Sequence, residues 1–250
     1  MAVNLACPSQ EVESGSKINA DFWHDVRQQL QTGDYQDVLV LGWPAAAGDQ
    51  SPHRMYRKAA EERMLKLRGL RYTQEIARRI VREIKDVCPL VRNDVRTAVS
   101  FAHKVEDVLL PVRRVTEQEA AAAQAEIDAL ARKNDTSRRR EWLQKVIDRY
   151  RTQDKEPTHS VEVHALRIGD VALITNPFEL FLDYGVQMQG RSKALQTFVI
   201  QLTCGSSGYL PTERAVRGGS YSAVAASNRV GPEGGQILVE RSVALINSLW

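Results

Sequence analysis

Residues 161–175 constrain this chain more tightly than any other stretch. Val161-Glu162-Val163-His164-Ala165-Leu166-Arg167-Ile168 and Val171-Ala172-Leu173-Ile174-Thr175 are two β-rich runs joined by Gly169-Asp170. That pattern predicts a hairpin with a tight turn. Around it, strands alternate with helices. A strand is expected over 3–7, then a helix over about 20–31 capped by Asn19, with Phe22, Trp23, Val26 and Leu30 at helical spacing. Val38–Leu41 reads as a short buried strand. Two helices are expected over about 53–67 and 73–87, the second carrying Ile76, Ile80, Val81 and Ile84 on one face and stopped by Pro89. Residues 94–115 alternate like a strand. Thr116-Glu117-Gln118-Glu119 is a capping-box pattern that opens a helical hairpin over about 116–151, broken at Asn134-Asp135-Thr136-Ser137. A helix over about 177–190, a strand over 197–203 and a last helix over about 233–248 complete the reading. The expected fold is α/β, with a mixed β-sheet, flanking helices and the helical hairpin inserted, all in a single domain over 1–250.

Charge and cysteine usage narrow the functional classes. The 34 basic and 31 acidic residues among 250 leave an excess of 34 − 31 = +3. So small an excess carries no nucleic-acid signature unless it is clustered. The run Arg138-Arg139-Arg140 is the one candidate cluster, and a solvated helix start accounts for it. No stretch approaches 18 uninterrupted apolar residues, so no transmembrane helix is expected. Cys7, Cys88 and Cys204 form no C-x-x-C pair and no zinc-finger spacing, which fits small core residues in a reducing compartment. The first residues show no basic n-region and no long apolar run, so a cytoplasmic location is expected.

Three loops hold side chains capable of chemistry. Gly48-Asp49-Gln50-Ser51-Pro52-His53 follows a predicted strand, where α/β folds place ligands. Its hydroxyl, carboxylate and imidazole suit a hydrolytic site, but Ser51 and Pro52 equally suit the first residues of a helix, and spacing alone favours that capping role. Asn176-Pro177-Phe178-Glu179 places a carboxylate beside an apolar ring, apt for a metal or a base. It has the form of a capping box as well, and the two roles stand level. The third loop, from Gly205-Ser206-Ser207-Gly208-Tyr209 to Gly218-Gly219-Ser220-Tyr221, is long, glycine-rich and irregular, with two phenols. Such segments are more often functional than structural.

In their order along the chain, these loops resemble the neutral, non-lysosomal ceramidase family, zinc-dependent amidases that hydrolyse N-acyl sphingosine. The segment at 48–52 is similar to that family's Gly-Asp-x-Ser-Pro motif, with Ser51 at the active-site serine and His53 where Asn is usual. Asn176-Pro177-Phe178-Glu179 is similar to the segment whose glutamate binds zinc, and Leu202-Thr203-Cys204-Gly205-Ser206-Ser207-Gly208-Tyr209 to the one whose tyrosine does. Tyr221, twelve residues beyond Tyr209, matches a tyrosine that contacts the reacting amide. Gly231-Pro232-Glu233 stands where the family has Gly-Pro-His.

The resemblance implies Glu179 and Tyr209 as zinc ligands, with Ser51 and Tyr221 as catalytic groups acting on a small-molecule N-acyl amide or lipid. It also implies two histidine ligands from a region before the Gly-Asp-x-Ser-Pro motif. Only His24 precedes that motif, and there is no His-x-His segment. His103, His159 and His164 lie in strand-like stretches and read as structural. The resemblance therefore implies a chain lacking the N-terminal part of a ceramidase-like domain, completed by an N-terminal polypeptide. The rival expectation is a non-catalytic α/β binding or scaffold domain that lost the metal.

Overall fold

A computed structural model describes residues 1–32, 35–135 and 137–250. Thr136, part of the expected break between the hairpin helices, lies outside them. The chain forms two compact units: residues 1–44 with 50–99, and residues 45–49 with 100–250.

In the first unit, β1 (Ala2–Leu5) pairs in parallel with β2 (Leu41–Pro44) after α1 (Phe22–Leu30). Helix α2 (Lys58–Arg68) ends at Gly69, whose φ of 64° is the left-handed stop that glycine allows. Helix α3 (Tyr72–Val91) packs on α1 through Ala77, Ile80, Val81 and Ile84 against Phe22, Val26 and Leu30, the spacing that puts each set on one helical face. Two carboxylates are buried in this unit, Asp25 on α1, paired with Arg71 at 3.3 Å, and Glu75 on α3. Glu75 is 2% exposed and is held by Arg68 at 3.0 Å, Arg78 at 2.8 Å and Arg79 at 3.0 Å.

The second unit is built on a four-stranded sheet. Its elements are β3 (Phe101–Pro111), α4 (Glu117–Arg132), α5 (Arg139–Thr152), β4 (Thr158–Ile168), β5 (Val171–Thr175), β6 (Glu179–Leu180), α6 (Leu182–Arg191), β7 (Gln196–Ile200), β8 (Tyr209–Leu210), α7 (Glu213–Gly218) and α8 (Pro232–Asn247). The sheet order is β3-β4-β5-β7, antiparallel except for the parallel pair β5–β7, so the sheet is mixed. The hairpin has its expected register, with Ile168 opposite Val171 and Gly169 at φ 62° in the turn. Val161, Val163 and Ala165 face the core with Val108 and Leu110, beneath Leu238, Val239 and Ile246 of α8. Helices α4 and α5 pack on each other through Ala120, Ala123, Ile127, Leu143, Val146 and Ile147. The capping box at Thr116 forms, with Glu119 N–H donating to the threonine hydroxyl at 3.1 Å.

Several local expectations shift. The strand placed at Val38–Leu41 begins only at Leu41, and Leu39 is exposed. The helix expected from residue 53 starts at Lys58, so Ser51 and Pro52 do not open it. Pro89 lies inside the last turn of α3 rather than ending it, where only one intrahelical bond is forfeited. The segment at 176–179 does not start a helix. Asn176 is buried, its backbone N–H donates to the Ile200 carbonyl, and its side-chain oxygen accepts from Phe178 N–H at 3.1 Å. That tight turn directs the chain into β6, and α6 begins only at Leu182. Cys204 is exposed rather than a core residue.

Candidate functional site

Strands β6 and β8 are two residues each, and their parallel pairing sets Glu179 opposite Tyr209 and Leu180 opposite Leu210. Phe178 and Leu180 are fully buried, and strand alternation turns Glu179 the other way. The Gly48-Asp49 segment belongs to the same unit and lies along β6. Gly48 N–H donates to the Leu180 carbonyl at 2.7 Å, and Leu182 N–H donates to the Asp49 carboxylate at 2.8 Å. The side-chain oxygen of buried Gln201 accepts from Ala47 N–H at 3.1 Å and from Leu180 N–H at 2.9 Å. One amide oxygen thus joins the residue before Gly48 to the residue after Glu179.

The Tyr209 phenol adjoins both Glu179, its partner across the strand pair, and the Tyr221 ring. Burial, then the adjoining Glu179 carboxylate, pushes its pKa well above the tyrosine range and holds it as a neutral phenol. The Tyr209 and Tyr221 rings meet edge-on, with centroids 5.8 Å apart, and Tyr221 is 68% exposed. Trp142 of α5 stacks on the Tyr221 ring with centroids 6.2 Å apart. Glu179, Tyr209 and Tyr221 therefore stand together, and the segment expected to be irregular carries β8, α7 and a short 3-10 turn at Tyr221–Ala223.

Positioning of the two tyrosines centres on Asn228, which is 1% exposed. Its Nδ2 donates to the Tyr209 carbonyl at 3.2 Å and the Ser222 carbonyl at 2.8 Å, and its Oδ1 accepts from Arg113 at 2.7 Å. Arg113 also donates to the Ala223 carbonyl at 2.8 Å and pairs with Glu119 of α4 at 2.9 Å. Arg149 of α5 donates to the Asn228 carbonyl at 2.5 Å and the Ala225 carbonyl at 2.6 Å, and burial brings its pKa down to about 10. Sequence reading missed Asn228, Arg113, Arg149 and Trp142. These residues act through contacts between distant segments and carry no local motif.

Ser51 belongs to the first unit. It is exposed, and its hydroxyl accepts from His53 N–H at 3.2 Å. The His53 ring is engaged through Nε2 with the Gln10 carbonyl at 2.7 Å.

Glu179 and Tyr209 offer two oxygens to a metal. A catalytic zinc is held by three protein ligands with an open position for water, and this pair supplies two. The histidines of this unit are engaged elsewhere, His159 with the Ser207 hydroxyl at 2.9 Å and His103 with His164 at 2.9 Å. The pair does not by itself fit a zinc centre, and no metal-dependent step is assigned to it. Among the described residues, the histidine, cysteine and carboxylate groups that could together hold an ion are Glu162, His164 and Cys204, whose ligand atoms lie within 4.8 Å of one another. The Glu-x-His spacing on one strand was the available signal, since alternate residues share a face.

The α/β fold with its mixed sheet has counterparts among solved structures. The chain has the fold seen in the crystal structure of neutral ceramidase from Pseudomonas aeruginosa, with a TM-score of 0.63 at 11% identity over 99% of this chain and 44% of that one. A ceramidase complexed with C2 gives a TM-score of 0.64 at 12% identity over 99% of this chain and 45% of that one. The chain thus spans less than half the length of the ceramidase chains it matches. No protein-family profile and no curated protein sequence matches it. Among the described residues, no helix is long and apolar enough to cross a membrane.

Proposed function

We propose that this chain is an amidohydrolase-like domain that binds the amide of an N-acyl, ceramide-like lipid at the cluster of Glu179, Tyr209 and Tyr221. In this reading it is the C-terminal part of a ceramidase-like domain, and zinc-dependent hydrolysis needs the histidine ligands of a further, N-terminal polypeptide. The observation that carries the proposal is the convergence of the three residues on a fold shared with ceramidase structures.

The chemistry follows from the side chains. The exposed Tyr221 hydroxyl can turn towards a substrate carbonyl. When the amide carbon becomes tetrahedral, negative charge gathers on that oxygen, and a phenol donor binds it more strongly than it binds the ground state. Tyr209 has one O–H to give and stands beside both Glu179 and Tyr221, so it can couple the carboxylate to the donor.

A non-catalytic binding or scaffold role is the second reading. It is favoured by one observation: Glu179 and Tyr209 supply two of the three protein ligands that a catalytic zinc takes. Hydrolysis of N-acyl amides by the chain, with and without zinc and with and without an N-terminally extended polypeptide, separates the two. Activity in the extended, zinc-loaded form and its loss in Glu179→Gln support the hydrolase. Inactivity of every form, with zinc binding unchanged in Glu179→Gln, supports the scaffold.

A further inference from the structure

A second group of reactive side chains lies on the sheet itself. Glu162 and His164 are two residues apart on β4, so both project from the face opposite the buried Val161, Val163 and Ala165. The His164 ring Nε2 lies 2.8 Å from the Glu162 carboxylate and 3.5 Å from Cys204 Sγ. Cys204 reaches them from the segment after β7 with its backbone at φ 59°, a left-handed conformation unusual for cysteine. On the other side, His164 Nδ1 is 2.9 Å from Nε2 of His103 on β3, and the two rings stack within 9° of parallel.

We propose that Glu162, His164 and Cys204 form a binding site for one divalent ion of the zinc class, with His103 fixing the His164 ring from behind. Nitrogen, thiolate sulfur and a carboxylate oxygen together select a borderline-soft transition ion over magnesium or calcium, which take oxygen alone. The spacing agrees. Zinc–nitrogen and zinc–sulfur bonds of about 2.0–2.1 and 2.3 Å at a tetrahedral angle hold the two atoms about 3.5 Å apart, the separation found between His164 Nε2 and Cys204 Sγ. The Glu162 oxygen is closer than a shared ion requires, and its half-exposed side chain has room to move out.

Protons balance simply. Cys204 releases its thiol proton to solvent as the sulfur binds. Neutral His164 keeps one ring proton, carried on Nδ1 and donated to His103 Nε2, the outer-shell bond that orients metal-bound imidazoles. Three protein ligands leave a fourth position for water. The ion would clasp the segment ending in Tyr209 to β4. It is a site separate from the cluster at Glu179 and does not depend on the hydrolase reading.

Cobalt(II) titration of the full chain tests the site, because a thiolate–cobalt bond gives a near-ultraviolet charge-transfer band that oxygen ligands cannot give. The expected result is that band, with one-to-one stoichiometry and the intense visible spectrum of four-coordinate cobalt. It should survive in the Cys7→Ser/Cys88→Ser double variant and in Glu179→Gln, and vanish in Cys204→Ser. His103→Ala should keep the band but bind about 10–100-fold more weakly. A folded wild-type chain without a thiolate band, or a band that persists in Cys204→Ser, overturns the proposal.

Discussion

Gly48 approaches the backbone of Glu179 so closely that a Cβ on it would stand 2.2 Å from the Glu179 carbonyl oxygen. No side chain fits there, because the obstacle is main chain and cannot rotate away. Gly48→Ala should therefore cost about 2–3 kcal/mol through overpacking and backbone displacement. Gly190, in the last turn of α6, is the contrast, since a methyl group added there would meet nothing within 4 Å. Gly190→Ala should stabilise by about 0.5–1 kcal/mol. Urea unfolding of both variants checks the pair, and equal effects would refute the argument.

Asn228 joins the carbonyls of Tyr209 and Ser222 to Arg113. Asn228→Ala strands two carbonyls and takes one of three partners from Arg113, with an expected loss of about 2–4 kcal/mol. Asn228→Asp keeps an acceptor for Arg113 but sets a carboxylate oxygen against the Tyr209 and Ser222 carbonyls, so it should destabilise as well. Near-ultraviolet circular dichroism should report the loosening of the Trp142–Tyr221 stack in both.

Tyr209 should ionise only above the ordinary tyrosine range in a spectrophotometric titration. Its folded pKa is raised, so the stability it contributes is present below the unfolded value of about 10 and is lost as pH climbs towards the folded one. Glu179→Gln removes the carboxylate but not the burial. The phenol should titrate lower than in the wild type and still above free tyrosine.

Glu75 carries the opposite dependence. Its arginine partners, foremost Arg78, lower its pKa to about 2 against the burial that opposes them. The stabilisation is thus complete above the unfolded carboxyl value of about 4.3 and fades as pH falls towards 2. Glu75→Gln should destabilise the first unit by about 2–3 kcal/mol at neutral pH and by much less near pH 2. Unfolding curves at the two pH values check the difference.

The hairpin at 161–175 was legible because turn and strands are local and agree. Residues 176–179 show the limit of local reading. Asn, Pro and Glu at these spacings match a helix start, yet Asn176 is held by the Ile200 carbonyl and Leu180 by Gln201, partners more than twenty residues away. Tertiary bonds decided between two local solutions of similar merit. The strand at Leu41–Pro44 was displaced for a related reason, since its pairing with Ala2–Leu5 fixes the register and an apolar run does not. Of the candidate site, Glu179, Tyr209 and Tyr221 were readable as residues, and their meeting was not. It depends on Asn228 and two arginines whose partners are main-chain carbonyls, which leave no pattern in sequence.

Helices α4 and α5 look from sequence like a detachable surface ornament. Arg149 grips the carbonyls of Ala225 and Asn228, and Trp142 lies on Tyr221. The hairpin is accordingly a splint for the most exposed phenol of the cluster. Shortening it would leave the sheet whole while freeing that phenol to wander, so trimming the molecule for convenience is the surest way to blunt whatever the site does.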